Sequence, residues 1–520
     1  MSAPWLVRSP APPTELLLRD VHVLDPRAGV DARMDVLVRA GAIARLGASG
    51  TLAADGAEVV EGEGRLYALP AFFDPHVHLR TPGQEHKEDI DSGTRAAAAG
   101  GYGAVIAMPN TAPPIDSVEG LRAVRETAAA QAHVPVGNLA ALTPGLQGER
   151  LTELEALREQ GALGFTDDGL PLASAALLCG ALHRQRECGG TIALHEEDRS
   201  LSRGGAMHEG ALSARLGIPG IPCASEASMV ARDATLAGCE GGRVHFQHLS
   251  CVASVRALAA AKANDANVSA EATPHHLLLT EEAVCGADGY AATAASHAGW
   301  RPKKEQTTTR PPEDEPAPIG KDGPLTSAAV CDLDTRAKMN PPLATEDDRR
   351  ALVEGLRDGT IDCVATDHAP HAAAEKALPF VQAPMGTTGL ETAFAALYTG
   401  LVLPGVLGLD LLVERMTAGA ALYELPSHTI APDAPANIAL VDLDVEWVAG
   451  EHGWQSRSES CCFAGRRLRG RVLMTVAAGA VAYRAPAVAS VAGVAARNGD
   501  ARPGPVSPGL GGTASARGAA

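Results

Sequence analysis

The sequence has no C-x-x-C pair, no apolar run long enough to span a bilayer, and no lysine between Lys87 and Lys262. The first absence argues against a cysteine zinc site or a dithiol redox motif. It leaves the ten cysteines to be read as reduced thiols of a cytosolic protein. The second absence goes with an N-terminus, MSAPWLVRSPAPPTE, that carries no apolar signal core. Together they predict a soluble, cytoplasmic chain. Positive charge is also scarce, with 44 Lys and Arg against 62 Asp and Glu, a net charge of −18. Neither nucleic acid nor an anionic membrane is expected as the main partner of such a surface.

What is present is an ordinary globular composition, 46% hydrophobic over 520 residues. That length holds one large barrel with an accessory domain, or two to three ordinary domains. Residues 1–12 are rich in Pro, Ala and Ser and are expected to be disordered. From 13 to 67, alternating runs such as ELLLRDVHVLD and MDVLVRAGAIARL predict β-hairpins. Similar runs return between 426 and 485, in NIALVDLDVEWV and RVLMTVAAGAVAYR, so both chain ends are expected to build one small β domain. The stretch 486–520 is Ala/Gly/Pro-rich and reads as a disordered tail.

Between them, over 68–425, short apolar runs alternate with helical stretches, the pattern of βα units. Eight strand candidates are AFFDPHVHLR, GAVIAMPNT, PVGNLAALT, GALGFTDDG, TIALHEED, RVHFQHLS, NVSAEATPHH and DCVATDHAPH. Their number predicts an α/β protein with a (β/α)8 TIM barrel. Thr152 with Glu155, and Thr345 before an acidic turn, are predicted helix N-termini. The polar segment 288–330 shows neither period and is expected to be a surface loop or disordered insertion.

Polar residues close most of these apolar runs: His76 and His78, Asn110, Asp167–Asp168, His195, His248 and Asp367. In a TIM barrel the C-terminal strand ends share one face, so these side chains are expected to converge there. Alternation along a strand puts His76 and His78 on the same side, where both can bind one ion. His275 and His276 are adjacent, which on a strand would send them to opposite faces, so they are left outside the metal site. Asp367 closes CVATD, where a carboxylate can both bind metal and transfer protons.

The motifs DPHVHLR (74–80), MPNT (108–111), FTDDG (165–169), ALHEED (193–198), QHLS (247–250), SAEATPHHLLL (269–279), KMNPPL (338–343) and ATDHAPH (365–371) closely resemble the bacterial type I dihydroorotases. The resemblance implies zinc, one or two ions per chain, held by His76, His78, Asp168, His195, His248 and Asp367, with Asp168 bridging. It implies substrate contacts from Arg80, Asn110, Asn340, His371 and the backbone at Met385-Gly386. Asp367 would be the catalytic base, and Asp167 a supporting residue. The substrate would be a small molecule, N-carbamoyl-L-aspartate closing to L-dihydroorotate in pyrimidine synthesis. A homo-oligomer is expected, with aspartate carbamoyltransferase as a candidate protein partner.

Two other readings compete. A hydantoinase or allantoinase would act on another cyclic amide, but those relatives bridge their metals with a carboxylated lysine at the fourth strand. The lysine gap leaves no such residue, so a carboxylate such as Asp168 must serve. A non-catalytic partner of aspartate carbamoyltransferase would be expected to lose metal ligands, and all six are here. Ala71, where the family typically has Gly, and the bulky Phe73 depart from its pattern and could shift packing near the metal.

Overall fold

A computed structural model describes residues 5–286 and 333–486. The insertion expected at 288–330 and the tail from 487 onward lie outside the described residues.

The chain opens with strands β1 (Leu16–Asp25), β2 (Val30–Arg39), β3 (Ala42–Ala48), β4 (Glu58–Glu61) and β5 (Tyr67–Pro70). The first three form consecutive antiparallel hairpins, as their alternation predicts. The barrel strands follow: β6 (Phe72–Val77), β7 (Tyr102–Ala107), β8 (Val136–Ala141), β9 (Ala162–Thr166) and β10 (Thr191–Leu194). A small parallel pair, β11 (Met207–His208) and β12 (Gly220–Ile221), sits in the loop after β10. The barrel resumes with β13 (Val244–Phe246), β14 (Val268–Ala272) and β15 (Cys363–Val364). Last come β16 (Ile438–Val448), β17 (Arg467–Ala477) and β18 (Ala480–Arg484).

Eight parallel strands pair in the order β6-β7-β8-β9-β10-β13-β14-β15, and a parallel bridge from Val77 to His368 links the two ends. Each strand candidate of the sequence overlaps one of them. The strands are buried on both faces, so they read as apolar runs rather than alternating ones. Inside the barrel, Phe73, Ile106, Leu139, Leu163 and Ala193 pack together beneath Tyr423 and Leu425. That layer plugs the end opposite the polar residues. Phe73 is thus absorbed into the core, and the Ala71 carbonyl accepts from His428 Nδ1 at 2.7 Å.

The second sheet runs β18-β17-β16-β5-β1-β2-β3, with β4 on β1, so both chain ends do build one β layer. β5 belongs to this sheet through its pairing with β16, which carries the layer past residue 67 to Pro70. The loop between β16 and β17 returns to the barrel mouth. There the backbone N–H of Arg457 and the Ser456 hydroxyl donate to Glu88, and Ser458 Oγ donates to His371 O at 2.7 Å.

Three local expectations are corrected. Residues 5–9 are docked rather than disordered: Val7 and Val136 exchange backbone bonds, Ser9 N donates to Ala132 O, and the Arg158 guanidinium lies 3.9 Å from the Trp5 ring centroid. Burial of Trp5, Leu6 and Val7 outweighs the surrounding Pro and Ala. The helix Leu154–Glu159 begins without a side-chain cap, because its cap position is Glu153, one residue after Thr152, whose Oγ1 donates to Ala141 O, while Glu155 pairs with Arg184. His275 and His276 lie on a short helix, Pro274–Leu278, not on a strand. Pro274 at its first turn and the Thr273 cap start that helix, so the opposite-face argument does not apply. Thr345 does cap its helix, Glu346–Asp358, in a capping box with Asp348. No helix among the described residues is long and apolar enough to cross a membrane.

Candidate metal centre and active site

The C-terminal ends of β6, β9, β10, β13 and β15 bring His76, His78, Asp168, His195, His248 and Asp367 into one buried cluster. Asp168 occupies its middle. Its Oδ1 is 3.6 Å from His76 Nε2 and 3.9 Å from both His195 Nδ1 and His248 Nε2, and its Oδ2 is 3.5 Å from His78 Nε2. Asp367 Oδ1 is 3.6 Å from His76 Nε2 and 3.0 Å from His78 Nε2. Arg80, His248 and Asp367 all have positive φ, at 56°, 33° and 46°, a conformation that non-glycine residues hold where surrounding structure enforces it.

Two features of the cluster call for a cation. His76 Nε2 and His248 Nδ1 are buried without a hydrogen-bond partner. His195 Nδ1 and His248 Nε2 face each other at 3.0 Å, where two imidazole lone pairs would repel without a proton or an ion nearby. Two triads, His76–Asp168–His248 and His76–His78–Asp367, each place three donor atoms within 4.8 Å of one another. Nitrogen and carboxylate oxygen donors suit a divalent ion of zinc's class. Burial acts against charge here, yet Glu271, Asp168 and Asp367 raise His76 well above its ordinary value. In turn, burial pushes Asp168 and Asp367 up, but the surrounding imidazoles hold both carboxyls well below the usual range.

Around this cluster lie the other residues singled out from the sequence. Arg80 is buried, and its Nε donates to Pro370 O at 3.1 Å; among the described residues its terminal nitrogens carry no hydrogen bond. Asn110 links two members of the cluster, with Oδ1 2.9 Å from His78 Nδ1 and Nδ2 donating to Asp168 Oδ2 at 2.8 Å. Asn340 Nδ2 lies 3.3 Å from His195 Nε2 and donates to Glu197 Oε2 at 2.9 Å. His371 Nε2 donates to Met385 O at 2.8 Å, and burial pushes its pKa down to about 3, which leaves Nδ1 as a neutral acceptor without a partner. Gly386 N donates to Lys338 O at 2.8 Å. Only glycine fits at 386, where φ is +139° and a Cβ would lie 2.6 Å from Ala369 O. Met385 O, Gly386 N and Gly386 O are therefore already paired within the protein. Asp167 supports a turn, its Oδ1 accepting from Thr143 N at 2.9 Å.

Residues 64–254 match the family model described as dihydro-orotase-like. The chain is 38% identical over 471 residues to a dihydroorotase of Syntrophotalea carbinolica, covering 90% of this chain and 99% of that one. A dihydroorotase of Bacillus caldolyticus is 40% identical over 427 residues, 82% of this chain and 89% of its own. The chain belongs to the dihydroorotase family. Among solved structures, the L-hydantoinase of Arthrobacter aurescens superposes with a TM-score of 0.72 at 21% identity, over 90% of this chain and 96% of that chain. A dihydropyrimidinase from Brevibacillus agri gives 0.71 at 21%, over 91% and 95%. At that identity the likeness is one of fold: a TIM barrel with an added β domain.

Within this family fold, the sequence reading missed several carboxylates, buried except for the half-buried Glu197. Glu271 on β14 joins His76 Nδ1 (2.7 Å) to His245 Nε2 (3.0 Å), and burial notwithstanding, those histidines hold its pKa down to about 2. Glu197 spans His195 (3.4 Å) and Asn340. Glu88 holds His368, next to Asp367, at 3.2 Å. Asp74 accepts from Thr366 N at 3.1 Å and from Thr366 Oγ1 at 2.5 Å, joining β6 to the end of β15. The available signal was a carboxylate inside an otherwise buried strand, as in SAEA, because such a charge is kept only when it is paired.

Proposed function

We propose that this chain is a dihydroorotase, a hydrolase of cyclic amides that interconverts L-dihydroorotate and N-carbamoyl-L-aspartate. One observation carries the reading: five barrel strands deliver four imidazoles and two aspartates to one buried point, with two ring nitrogens lacking partners. His76, His78, Asp168, His195, His248 and Asp367 would hold one or two zinc ions. When bound, zinc supplies a Lewis acid for the ring carbonyl and acidifies a water toward neutral pH.

The protein's own groups do the rest. Asp367 takes the proton of the attacking water and passes it to the ring nitrogen as the amide bond breaks, and in the cyclising direction the steps reverse. The unpartnered nitrogens of Arg80 offer a planar fork to the substrate carboxylate. The neutral His371 Nδ1 accepts from a ring N–H, while its Nε2–H stays on Met385 O. Asn110 and Asn340 flank the substrate and orient His78 and His195. Nine free thiols among the described residues support a cytoplasmic location. A homo-oligomer working with aspartate carbamoyltransferase belongs to the same reading, since that enzyme forms N-carbamoyl-L-aspartate.

The test is zinc content and dihydroorotate turnover of the wild type and of Asp367→Asn. Zinc at one or two per chain is expected. Loss of the proton acceptor lowers kcat by about 10²–10⁴-fold. Zinc-loaded wild type that opens another cyclic amide but not dihydroorotate would overturn the substrate assignment.

A further inference from the structure

Away from the metal centre, a second set of donor side chains converges from four separate elements. His208 ends β11, and Cys223 opens the helix Cys223–Glu240. Cys251 caps the helix Val252–Ala263, three residues beyond His248, and Asp348 sits in the first turn of Glu346–Asp358. The donor atoms of His208, Cys223 and Asp348 all lie within 4.8 Å of one another. His208 Nδ1 is 4.0 Å from Cys223 Sγ, and the Cys251 thiol beside it donates to the Cys223 backbone carbonyl at 3.9 Å. His208, Cys251 and Asp348 are buried and Cys223 is half-buried.

This arrangement has the chemistry of a closed cation site. Two sulfurs, one imidazole and one carboxylate match the donor preferences of zinc. Zinc bonds of about 2.0–2.3 Å place tetrahedral donors roughly 3.3–3.8 Å apart, so the donors of His208, Cys223 and Asp348 need contract by only about 1 Å, with the Cys251 thiol turning in from the Cys223 carbonyl. The carboxylate is already aimed. Asp348 Oδ1 accepts from Val252 N at 2.9 Å and Oδ2 from Thr345 Oγ1 at 2.5 Å, which is the outer support that ligating carboxylates use. The neighbouring Cys251 and His208 side chains also draw Cys223 toward the thiolate, the form that binds metal.

We propose that His208, Cys223, Cys251 and Asp348 form a structural site for a thiophilic divalent cation, separate from the proposed catalytic centre. The ion would pin the loop after β13, which carries His248, to the two helices behind it. Its cleft is also lined by Glu197 and Asn340, so the site stiffens the wall beside His195. A competing thiol cluster, His245–Glu271–Cys363, is the internal control.

Cobalt distinguishes the sites, because only thiolate ligation gives an intense sulfur-to-cobalt charge-transfer band in the near ultraviolet. The full-length protein is stripped with chelator and loaded with excess Co²⁺. The wild type is expected to show the band, Cys223→Ser to lose it, Cys251→Ser to retain about half, and Cys363→Ser to keep it. No band in the wild type, or a band lost in Cys363→Ser but not in Cys223→Ser, overturns the proposal. If Cys223→Ser does not fold, alkylation of the wild type decides. Zn²⁺ then slows labelling of Cys223 by about tenfold or more, and labelling unaffected by Zn²⁺ refutes the site. Neither readout depends on turnover, so failure here leaves the dihydroorotase reading standing.

Discussion

Glu271→Gln isolates the charge of a buried carboxylate from its hydrogen bonds. Glu271 Oε1 accepts from His76 Nδ1 at 2.7 Å and from the His248 backbone N–H at 3.3 Å, while Oε2 lies 3.0 Å from His245 Nε2. A glutamine can keep this pattern. Its carbonyl accepts from His76 Nδ1–H, and its amide donates to His245 Nε2 once that ring shifts its proton to Nδ1, facing Ser269 Oγ at 2.9 Å. The fold therefore survives, and what disappears is the negative charge that makes His76 Nε2 a better donor to a metal. Loss of such a partner typically weakens metal binding by about 10–100-fold, or roughly 1.4–2.7 kcal/mol. Glu271→Ala also orphans two imidazoles and opens a cavity, so its melting transition falls as well. Competition with a chelator of known affinity measures the metal term, and thermal unfolding the second. A Glu271→Gln protein that holds zinc as tightly as the wild type would refute the claim that this carboxylate tunes His76.

Two further outcomes are expected. Arg80→Lys replaces a planar fork with a point charge, so KM for dihydroorotate rises by about tenfold or more while kcat falls less; an unchanged KM would remove Arg80 from carboxylate binding. Burial raises Glu391 to about 7, against two backbone N–H bonds that oppose it. A carboxyl raised above its unfolded value adds stability below the unfolded pKa and loses it as pH climbs to about 7. Glu391→Gln removes that titration. Chemical denaturation from pH 4.5 to 7 should therefore show a wild-type decline, on the order of 1 kcal/mol per pH unit at most, that the variant lacks.

Much of the barrel was legible because a parallel strand buried on both faces is a local signal: apolar residues in a short run, closed by a polar one. Asp168, His195 and His248 each end such a run, so their convergence followed once eight runs implied a closed sheet. The hairpins of β1–β3 were readable for a similar reason, as was the Thr345 cap, whose partner stands three residues away. The Thr152 cap failed because the helix starts one residue later, with Glu153 at the cap position, and Thr152 turns its hydroxyl to a buried carbonyl, Ala141 O.

Other features had no local signature. Nothing near Glu271 names His76, 195 residues away, as its partner. Trp5, Leu6 and Val7 look like a few apolar residues in a Pro-rich start until the edge of β8 is there to receive them. The proposed Cys223–Cys251–His208–Asp348 group has no motif spacing, since its members come from four elements. Sequence alone therefore determined the strands, the order of the chemistry along the chain and the family. Tertiary structure decided which buried charges face one another, because the partner that makes burial of a charge tolerable is chosen by the closing of the barrel and not by neighbours in the chain.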